Sequence, residues 1–340
     1  MIFKAAFEMV KLSTVKGAFM ADLNFERVVF DAANGNGAKI AGRYYPSSAE
    51  NIKGVIQICH GMAEYLARYE EMIAFFNEAG YHVCGMDMPG HGDTYEINKG
   101  LGYPKGYFGK GGNDAKDLLK DIMEMHRLAR VRFGESVPYY LYGHSMGSAV
   151  VRAIFSTPEY SCDFSKFVFS STMGPNPAVG FARFLAACGC LFGGAKKESG
   201  LLDLLAFGTY CKRIENPGSP MAWLSTEPEE VRIYDDDPMC GFSFTHEGYG
   251  VLFKLVSFIQ SSKAYQNLSE APCLFTYGSE DPVGSYGKGV GKVIVKMKQY
   301  GRGVLAKCYV PYRHEIQHEP VREEYFRDIV NFLDKGSLSA

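Results

Sequence analysis

The spacing of hydrophobic positions along the chain predicts strands that alternate with helices. The runs at 54–59 and 139–143 are short, continuous and apolar, which is typical of strands buried on both faces of a parallel sheet. Apolar positions recur at helical spacing in 66–79 and 113–133. The alternation predicts an α/β fold, with a mostly parallel central sheet and helices on both of its faces.

The rest of the chain outside the break described below continues this pattern. Segments 25–32 and 38–46 flank an Asn-Gly-Asn-Gly turn, which predicts a β-hairpin that adds antiparallel strands at one edge of the sheet. Further apolar runs continue the strand series, and an amphipathic helix is predicted near the C-terminus. The remaining strands are expected at 81–88, 166–171, 272–278 and 304–310, and the remaining helices near 250–265 and 320–334.

The alternation breaks once, between about 174 and 248. This stretch is rich in proline and contains apolar helical pieces. It predicts a helical cap at 174–248, inserted into an α/β core formed by 21–173 and 249–340. Residues 1–20 are interpreted as an N-terminal extension.

Composition excludes several function classes. The chain has 340 residues, 46% hydrophobic and 22% charged, with a net charge of −2, so no overall basic field attracts nucleic acid. Several of its nine cysteines lie in apolar runs, which favours free thiols in a reducing, cytoplasmic location. Cys188 and Cys190 lack neighbouring histidines, and no metal site is expected.

Membrane association is open on the sequence alone. No apolar run reaches the ~18 residues that span a bilayer, and charges interrupt residues 1–20, so a signal peptide is not expected. This segment is either an amphipathic helix that touches a membrane or an extension upstream of a start at Met20. The sequence is consistent with peripheral membrane contact through the cap or the N-terminus, and it does not predict the oligomeric state.

The strongest chemical signal is a G-x-S-x-G motif between a predicted strand and a predicted helix. In this context the serine occupies a sharp turn that presents its hydroxyl at the carboxyl end of the sheet. The glycines on either side allow neighbouring backbone to pass closely. The sequence therefore predicts Ser145 as a nucleophile. The motif is Gly143-His144-Ser145-Met146-Gly147.

A nucleophilic serine needs a base and a group that orients the base. In folds built around this serine turn the order along the chain is serine, acid, histidine, each after a later strand. Asp281 follows the run at 272–278, and His314 follows the run at 304–310. We predict these two residues as orienting acid and base.

Competing residues exist for both roles. Glu280 adjoins Asp281, and the cap contains acidic residues at 235–237, which we interpret as solvated. His318 is expected to begin the last helix. Four further histidines are interpreted as loop or cap residues rather than the base: His60, His91, His144 and His246.

Two backbone N–H donors are required to stabilise an oxyanion. One is expected from Met146, directly after the predicted nucleophile. The other should come from the loop after an early strand, and the residue at that position is Met62.

These motifs together resemble the monoacylglycerol lipase and lysophospholipase group of α/β-hydrolases, a sequence domain also described as serine aminopeptidase-like. The resemblance extends from about 25 to 335. It implies a triad of Ser145, Asp281 and His314, oxyanion donors at Met62 and Met146, a cap, and neither metal nor organic cofactor. The motifs are HGMAEYLARY (60–69), DMPGHGDT (87–94), GHSMGS (143–148), SEDPVG (279–284) and RHEIQHE (313–319).

Two enzymatic functions are consistent with this chemistry. An apolar cap beside a serine triad favours a carboxylic-ester hydrolase acting on a monoacylglycerol or lysophospholipid, because each buried CH₂ contributes ~0.8 kcal/mol. An aminopeptidase or amidase is the alternative, and would need a carboxylate for the substrate amine, such as Glu227, Glu229 or Asp235. A non-enzymatic binder is disfavoured by the intact set of catalytic residue types.

Overall fold

One eight-stranded sheet forms the centre of the molecule. The computed structural model describes residues 23–109 and 115–338. The strands lie in the order β1-β2-β4-β3-β5-β6-β7-β8, with β1, β2 and β4 paired antiparallel and all other pairs parallel. Their bounds are β1 Glu26–Asp31, β2 Lys39–Tyr45, β3 Gly54–Cys59, β4 Tyr81–Met86, β5 Tyr139–His144, β6 Lys166–Ser170, β7 Cys273–Gly278 and β8 Val304–Tyr309.

Helices cover both faces of this sheet. They are α1 Glu70–Glu78, α2 Gly92–Asn98, α3 Ala115–Phe133, α4 Met146–Phe155, α5 Pro158–Ser161, α6 Val179–Cys188, α7 Gly200–Phe207, α8 Pro228–Asp236, α9 His246–Ile259, α10 Ser262–Gln266, α11 Lys288–Gln299 and α12 Arg322–Lys335. Every residue of β3 and β5 is buried, and a separate apolar cluster lies on each side of the sheet. The predicted α/β fold is confirmed.

The structure differs from the sequence expectations mainly in how helices begin. The helix expected at 66–79 starts as a 3₁₀ turn, Leu66–Tyr69, before α1. Residues 113–114 of the helix expected at 113–133 lie outside the described residues. Helices α2, α5 and α11 were not predicted, although α11 has buried Val290, Val293 and Met297 at helical spacing.

The segment between β6 and α9 contains α6, α7 and α8, with a π-helical turn at Gly189–Gly194. The expected cap boundary at 248 falls inside α9, which begins at His246. The expected N-terminal extension, 1–20, lies outside the described residues. We use "cap segment" below for 174–248.

Two further expectations concern covalent and membrane features. All nine cysteines are free thiols, and Cys59, Cys84, Cys240 and Cys273 are buried. In the described part of the chain no helix combines the length and apolar character needed to cross a bilayer.

Candidate active site

Ser145 occupies a strained turn between β5 and α4. Its backbone has φ 52° and ψ −118°, a combination that costs a non-glycine residue on the order of 1–3 kcal/mol and that is found chiefly at functional sites. The Ser145 N–H donates to the carbonyl of Ser170 at 3.0 Å, and Ser148 Oγ donates to the Ser145 carbonyl at 2.6 Å. These bonds hold the turn in place at the carboxyl end of the sheet.

The two motif glycines are required by close approach of other backbone. A Cβ at Gly147 would lie 2.0 Å from the carbonyl oxygen of Cys59, and one at Gly143 would lie 2.4 Å from the carbonyl oxygen of Gly147. No side chain fits at these distances. The turn therefore packs directly against the end of β3, where the 60–64 loop begins.

His314 and Asp281 form a buried pair beside this turn. The Nδ1–H of His314 donates to Oδ1 of Asp281 at 3.0 Å, and the same oxygen accepts from the Val283 N–H at 2.8 Å. The side chains are 2% and 0% exposed. Glu280 is exposed, so the carboxylate that contacts the imidazole is that of Asp281.

Ser145 and His314 line one cavity. Among the described residues, no hydrogen bond joins the Ser145 hydroxyl to the imidazole. Such bonds are often long in the absence of substrate and shorten when it binds. The structure thus brings Ser145, His314 and Asp281 close together, and the hydrogen bond between His314 and Asp281 is formed.

His60 and His91 hold the loops around the site. Nε2 of His60 accepts from the Met88 N–H at 2.9 Å, and Nε2 of His91 accepts from the Ala63 N–H at 3.2 Å. Burial, with His91 close by, lowers the pKa of His60 well below its usual range, and burial lowers the pKa of His91 to about 4. Both rings are therefore neutral acceptors at neutral pH.

Three further histidines, His144, His246 and His318, have different environments. The His144 ring contacts the His314 ring at a tilt of 52°, with ring centroids 4.7 Å apart, and burial lowers the pKa of His144 well below the usual range. His246 is the first residue of α9. His318 ends a 3₁₀ turn, Ile316–His318, whereas α12 begins at Arg322, so the prediction that it begins the last helix is wrong.

The two predicted oxyanion donors also line the cavity. In the portion of the chain that the structure describes, neither the Met62 N–H nor the Met146 N–H donates to another protein group. Met146 opens α4, so the helix dipole adds positive potential at this point. Both N–H groups are available to an oxygen placed in the cavity.

A buried ionic cluster that the sequence reasoning missed connects the two loops. Arg68 donates to both carboxylate oxygens of Glu315, at 2.7 and 2.8 Å, and to Glu64 at 2.6 Å. Glu64 also accepts from the N–H of Gly61 and from Tyr69 Oη. All three charged residues lie within the motifs at 60–69 and 313–319. Their place in these motifs is the sequence feature that could have indicated the cluster.

The two carboxyl groups of this cluster have pKa values shifted in opposite directions. Burial raises the pKa of Glu64, although Arg68 opposes the shift. Burial also acts on Glu315, but the bidentate Arg68 guanidinium overcomes it and holds the pKa of Glu315 well below its usual range. Arg68 and Glu315 are therefore both charged at neutral pH and form an ion pair.

The cap segment contacts both of these loops. Tyr234 Oη donates to the carbonyl of Ala63 at 2.9 Å, and the Gly241 N–H donates to the same oxygen at 3.0 Å. The Glu315 N–H donates to the carbonyl of Leu224 at 2.7 Å. The cap segment therefore fixes both the loop after β3 and the loop bearing His314, in addition to the ion pairs that Arg68 makes with these loops.

Above Ser145 the cavity is about 610 Å³ in volume, within the usual range for a small-molecule site. Its walls are largely apolar and come from α6, α7 and α9. Asp203 is a polar exception, and accepts a hydrogen bond from Tyr249 Oη at 2.6 Å. The apolar wall residues include Phe181, Leu185, Leu202, Phe207, Leu252 and Val256.

The sheet order and the serine turn between β5 and α4 define an α/β-hydrolase. The chain belongs to the serine aminopeptidase S33 family, whose model matches residues 50–321. This confirms the resemblance stated from the motifs.

Relatives of known name are similar over most of their length. The monoacylglycerol lipase of Mycolicibacterium smegmatis is 25% identical over 291 residues, 83% of this chain and 88% of that protein. The monoglyceride lipase of Rattus norvegicus is 25% identical over 252 residues, 73% of this chain and 71% of that protein. The chain is a hydrolase similar to monoacylglycerol lipases.

Solved structures agree on the fold. A thermostable carboxyl esterase from Bacillus coagulans, solved with glycerol, superposes with a TM-score of 0.84 at 26% identity, covering 91% of this chain and 98% of that one. A lipase in an open form superposes with a TM-score of 0.82 at 23% identity, covering 92% and 98%. The second likeness concerns the fold alone.

Proposed function

We propose that this protein is a serine carboxylic-ester hydrolase that cleaves single-chain lipid esters, of the monoacylglycerol or lysophospholipid type, through an acyl-enzyme. One observation carries the proposal. A largely apolar cavity of about 610 Å³ ends at a strained serine, an imidazole paired with a buried carboxylate, and two available N–H groups.

In the first step Nε2 of His314 takes the proton of the Ser145 hydroxyl while Oγ attacks the ester carbonyl carbon. Asp281 holds the imidazole through Nδ1 and stabilises the imidazolium that forms. The tetrahedral intermediate then collapses, the ester C–O bond breaks, and the imidazolium protonates the departing alkoxide. The products are an alcohol and an acyl-Ser145 ester.

The oxyanion of each tetrahedral intermediate is placed against the N–H groups of Met62 and Met146. Donors fixed in advance cost no reorganisation, and losing one typically lowers the rate by about 10²–10³-fold. In the second step His314 removes a proton from water, hydroxide attacks the acyl carbon, and Ser145 regains its proton as the fatty acid leaves.

Acyl-chain binding is assigned to the walls contributed by the cap segment and α9. Each buried CH₂ contributes ~0.8 kcal/mol, so a long chain gains more than a short one. We further propose that 174–248 acts as a lid subdomain, because it supplies these walls and contacts both loops of the site.

The amidase alternative depends on a carboxylate for the substrate amine. None of the cap acids considered from the sequence lines the cavity: these are Glu227, Glu229 and Asp235. The carboxylates on the described cavity wall are Glu64, Glu315 and Asp203. Arg68 pairs with the first two, so Asp203 is the one candidate that the alternative retains. A largely apolar wall, with one carboxylate not paired with Arg68, favours the lipid ester.

The test compares p-nitrophenyl esters of increasing acyl length with aminoacyl-nitroanilides. We expect kcat/KM to rise with chain length on the esters, and Ser145→Ala to remove roughly 10⁴–10⁶-fold of it. A preference for the anilide that Asp203→Asn abolishes would establish the alternative instead. Wild-type turnover by Ser145→Ala would refute both.

A further inference from the structure

The single tryptophan of the chain lies in the cap segment, beside the proposed base. Trp223 is 7% exposed and lines the cavity above Ser145. Its indole lies against the imidazole of His314, with ring centroids 5.0 Å apart and ring planes inclined at 49°. An aromatic side chain of the cap segment is therefore in direct contact with the residue that would carry the proton.

Two aromatic neighbours hold the indole in this position. Phe207 stacks on Trp223, with ring planes 12° apart and centroids 6.2 Å apart. Tyr210 contacts the indole edge-on, with centroids 4.9 Å apart. A side chain whose rotamer is locked by its packing can hold a neighbouring group in a productive geometry. The ring presented to His314 is therefore fixed in advance.

The backbone around the indole is tied to the loop that bears the proposed base. We define the strap as residues 222–226. The guanidinium of Arg313, which directly precedes His314, donates to the strap carbonyls of Ala222 and Ser225 at 2.7 and 2.8 Å. The strap and the loop are thus joined on the side of the imidazole, and Trp223 lies between these two attachment points.

A buried carboxylate of the same loop completes the attachment. Glu319 is 0% exposed and accepts from the N–H of Thr226 and from the N–H of Arg313, both at 2.9 Å. The hydroxyl groups of Thr226 and Ser225 also donate to this carboxylate. One side chain therefore binds the strap and the loop of the base together.

The hydrogen bond to Asp281 leaves one motion of the imidazole unrestrained. A bond at Nδ1 fixes one end of the His314 ring but allows the plane of the ring to swing about it. The rings of Trp223 and His144 both contact His314 and restrict that swing. An indole also attracts a neighbouring cation through its π system, and the imidazole becomes a cation as the serine proton is transferred.

We propose that Trp223 is a positioning residue for the hydrolysis: it sets the plane of the His314 imidazole and stabilises the imidazolium that forms when Ser145 gives up its proton. The cap segment then contributes to the chemical step as well as to substrate binding. This inference rests on the proposed role of His314 as base.

The first test is the steady-state hydrolysis of p-nitrophenyl acetate, whose short acyl group makes little use of the cavity wall. Trp223→Leu keeps apolar bulk but removes the ring, and should lower kcat about 10²-fold with little change in KM. Trp223→Phe restores a ring and should recover kcat to within about 10-fold of wild type. Equal losses of kcat in the two variants, or a loss confined to KM, would overturn the proposal.

Phe164→Leu is the matched control for loss of packing. Phe164 is 3% exposed and contacts His126 with centroids 4.4 Å apart at a tilt of 48°, a similar aromatic–histidine contact among residues that do not line the cavity. The control should lower the melting temperature as Trp223→Leu does, but leave kcat unaltered. A kcat that falls in step with the melting temperature in both variants would reduce Trp223 to a packing residue.

The second test uses indole fluorescence and does not require turnover. Protonated imidazole quenches indole emission, and Trp223 is the one tryptophan in the sequence. Emission should fall as the pH is lowered through the range in which histidines usually titrate, about pH 8 to 5. Its midpoint should match the acidic limb of the pH profile of kcat/KM.

The groups around the imidazole allow this step to be assigned. Asp281 binds Nδ1, His144 stays neutral because burial lowers its pKa, and Arg68 holds Glu315 as an anion. We therefore expect the step to disappear in His314→Gln. A step that persists in this variant would refute the contact on which the proposal depends.

The two proposals fail in different ways. The emission step should survive in Ser145→Ala, which keeps the imidazole but lacks the nucleophile. Wild-type turnover by Ser145→Ala or His314→Gln would refute the proposed function. Loss of turnover in those two variants, with unchanged kcat in Trp223→Leu, would refute the role of Trp223 alone.

Discussion

Arg68 and Glu315 are 247 residues apart along the chain and form a bidentate ion pair at 2.7 and 2.8 Å. Glu315 follows His314 directly, and Arg68 also binds Glu64 in the loop that carries Met62. One guanidinium therefore links the loop of the proposed base to the loop of a proposed oxyanion donor. The pair is buried, so its attraction is little screened by salt.

Breaking this pair should impair both stability and turnover. We expect Arg68→Leu to lower the free energy of unfolding by about 3–5 kcal/mol, because it leaves buried carboxylates uncompensated. In the fraction that folds, kcat should fall while KM changes little, since both loops carry groups that act on the transition state. Urea unfolding and steady-state kinetics measure the two effects.

An exposed pair in the cap segment supplies the control. Arg232 and Asp236 are 59% and 66% exposed, and exposed pairs contribute about 0–1 kcal/mol. Arg232→Leu should therefore be nearly neutral. A similar loss for Arg68→Leu and Arg232→Leu would contradict the role given to the buried pair.

Asp281→Asn should lower kcat by roughly 10⁴-fold, because an amide fixes the wrong imidazole tautomer while leaving the geometry intact. The isosteric change Glu280→Gln at the neighbouring exposed carboxylate should have little effect on kcat. Steady-state assays with a soluble ester measure kcat for both variants. If Glu280→Gln proved the more damaging of the two, the orienting acid would have been misassigned.

Gly147→Ala should prevent the serine turn from closing, since the new Cβ would meet the Cys59 carbonyl at 2.0 Å. We expect loss of activity with a large loss of stability, measured by thermal unfolding. Gly291→Ala in α11, where nothing lies within 4 Å of the added atom, should instead stabilise by about 0.5–1 kcal/mol. An active, stable Gly147→Ala protein would be inconsistent with the described packing.

His126 should make the protein sensitive to acid. Its ring packs on Phe164 and Tyr139, neither ring nitrogen has a hydrogen-bond partner in the described residues, and burial lowers its pKa to about 4. The unfolded chain binds this proton near pH 6.5 but the folded chain does not, so stability is complete above pH 6.5 and is lost as the pH falls toward 4.

His126→Phe keeps an aromatic ring and removes both unpaired nitrogens. We expect it to raise the melting temperature at pH 7, because an unsatisfied buried polar group costs about 1–3 kcal/mol, and to raise it further at pH 5. Calorimetry at both pH values provides the measurement. A gain that shrinks at pH 5 would contradict the assignment of a neutral, destabilising imidazole.

The sequence by itself was enough to predict the strands, the mostly parallel class of the sheet and the serine turn. Those features depend on backbone and side-chain preferences over a few consecutive residues, so β5, Gly143–Gly147 and α4 could be recognised from their order alone. The approximate positions of Asp281 and His314 followed because parallel strands end at one edge of the sheet.

Tertiary structure alone decided which distant groups meet. Glu280 and Asp281 are adjacent in sequence, and only the packing of the loop after β7 buries one and exposes the other. The Arg68–Glu315 pair, the contact of Tyr234 with Ala63, and the entry of Asp203 into the cavity wall have no local signature. Each depends on how separate loops and the cap segment come together, and that is set by the burial of many side chains at once rather than by neighbouring residues.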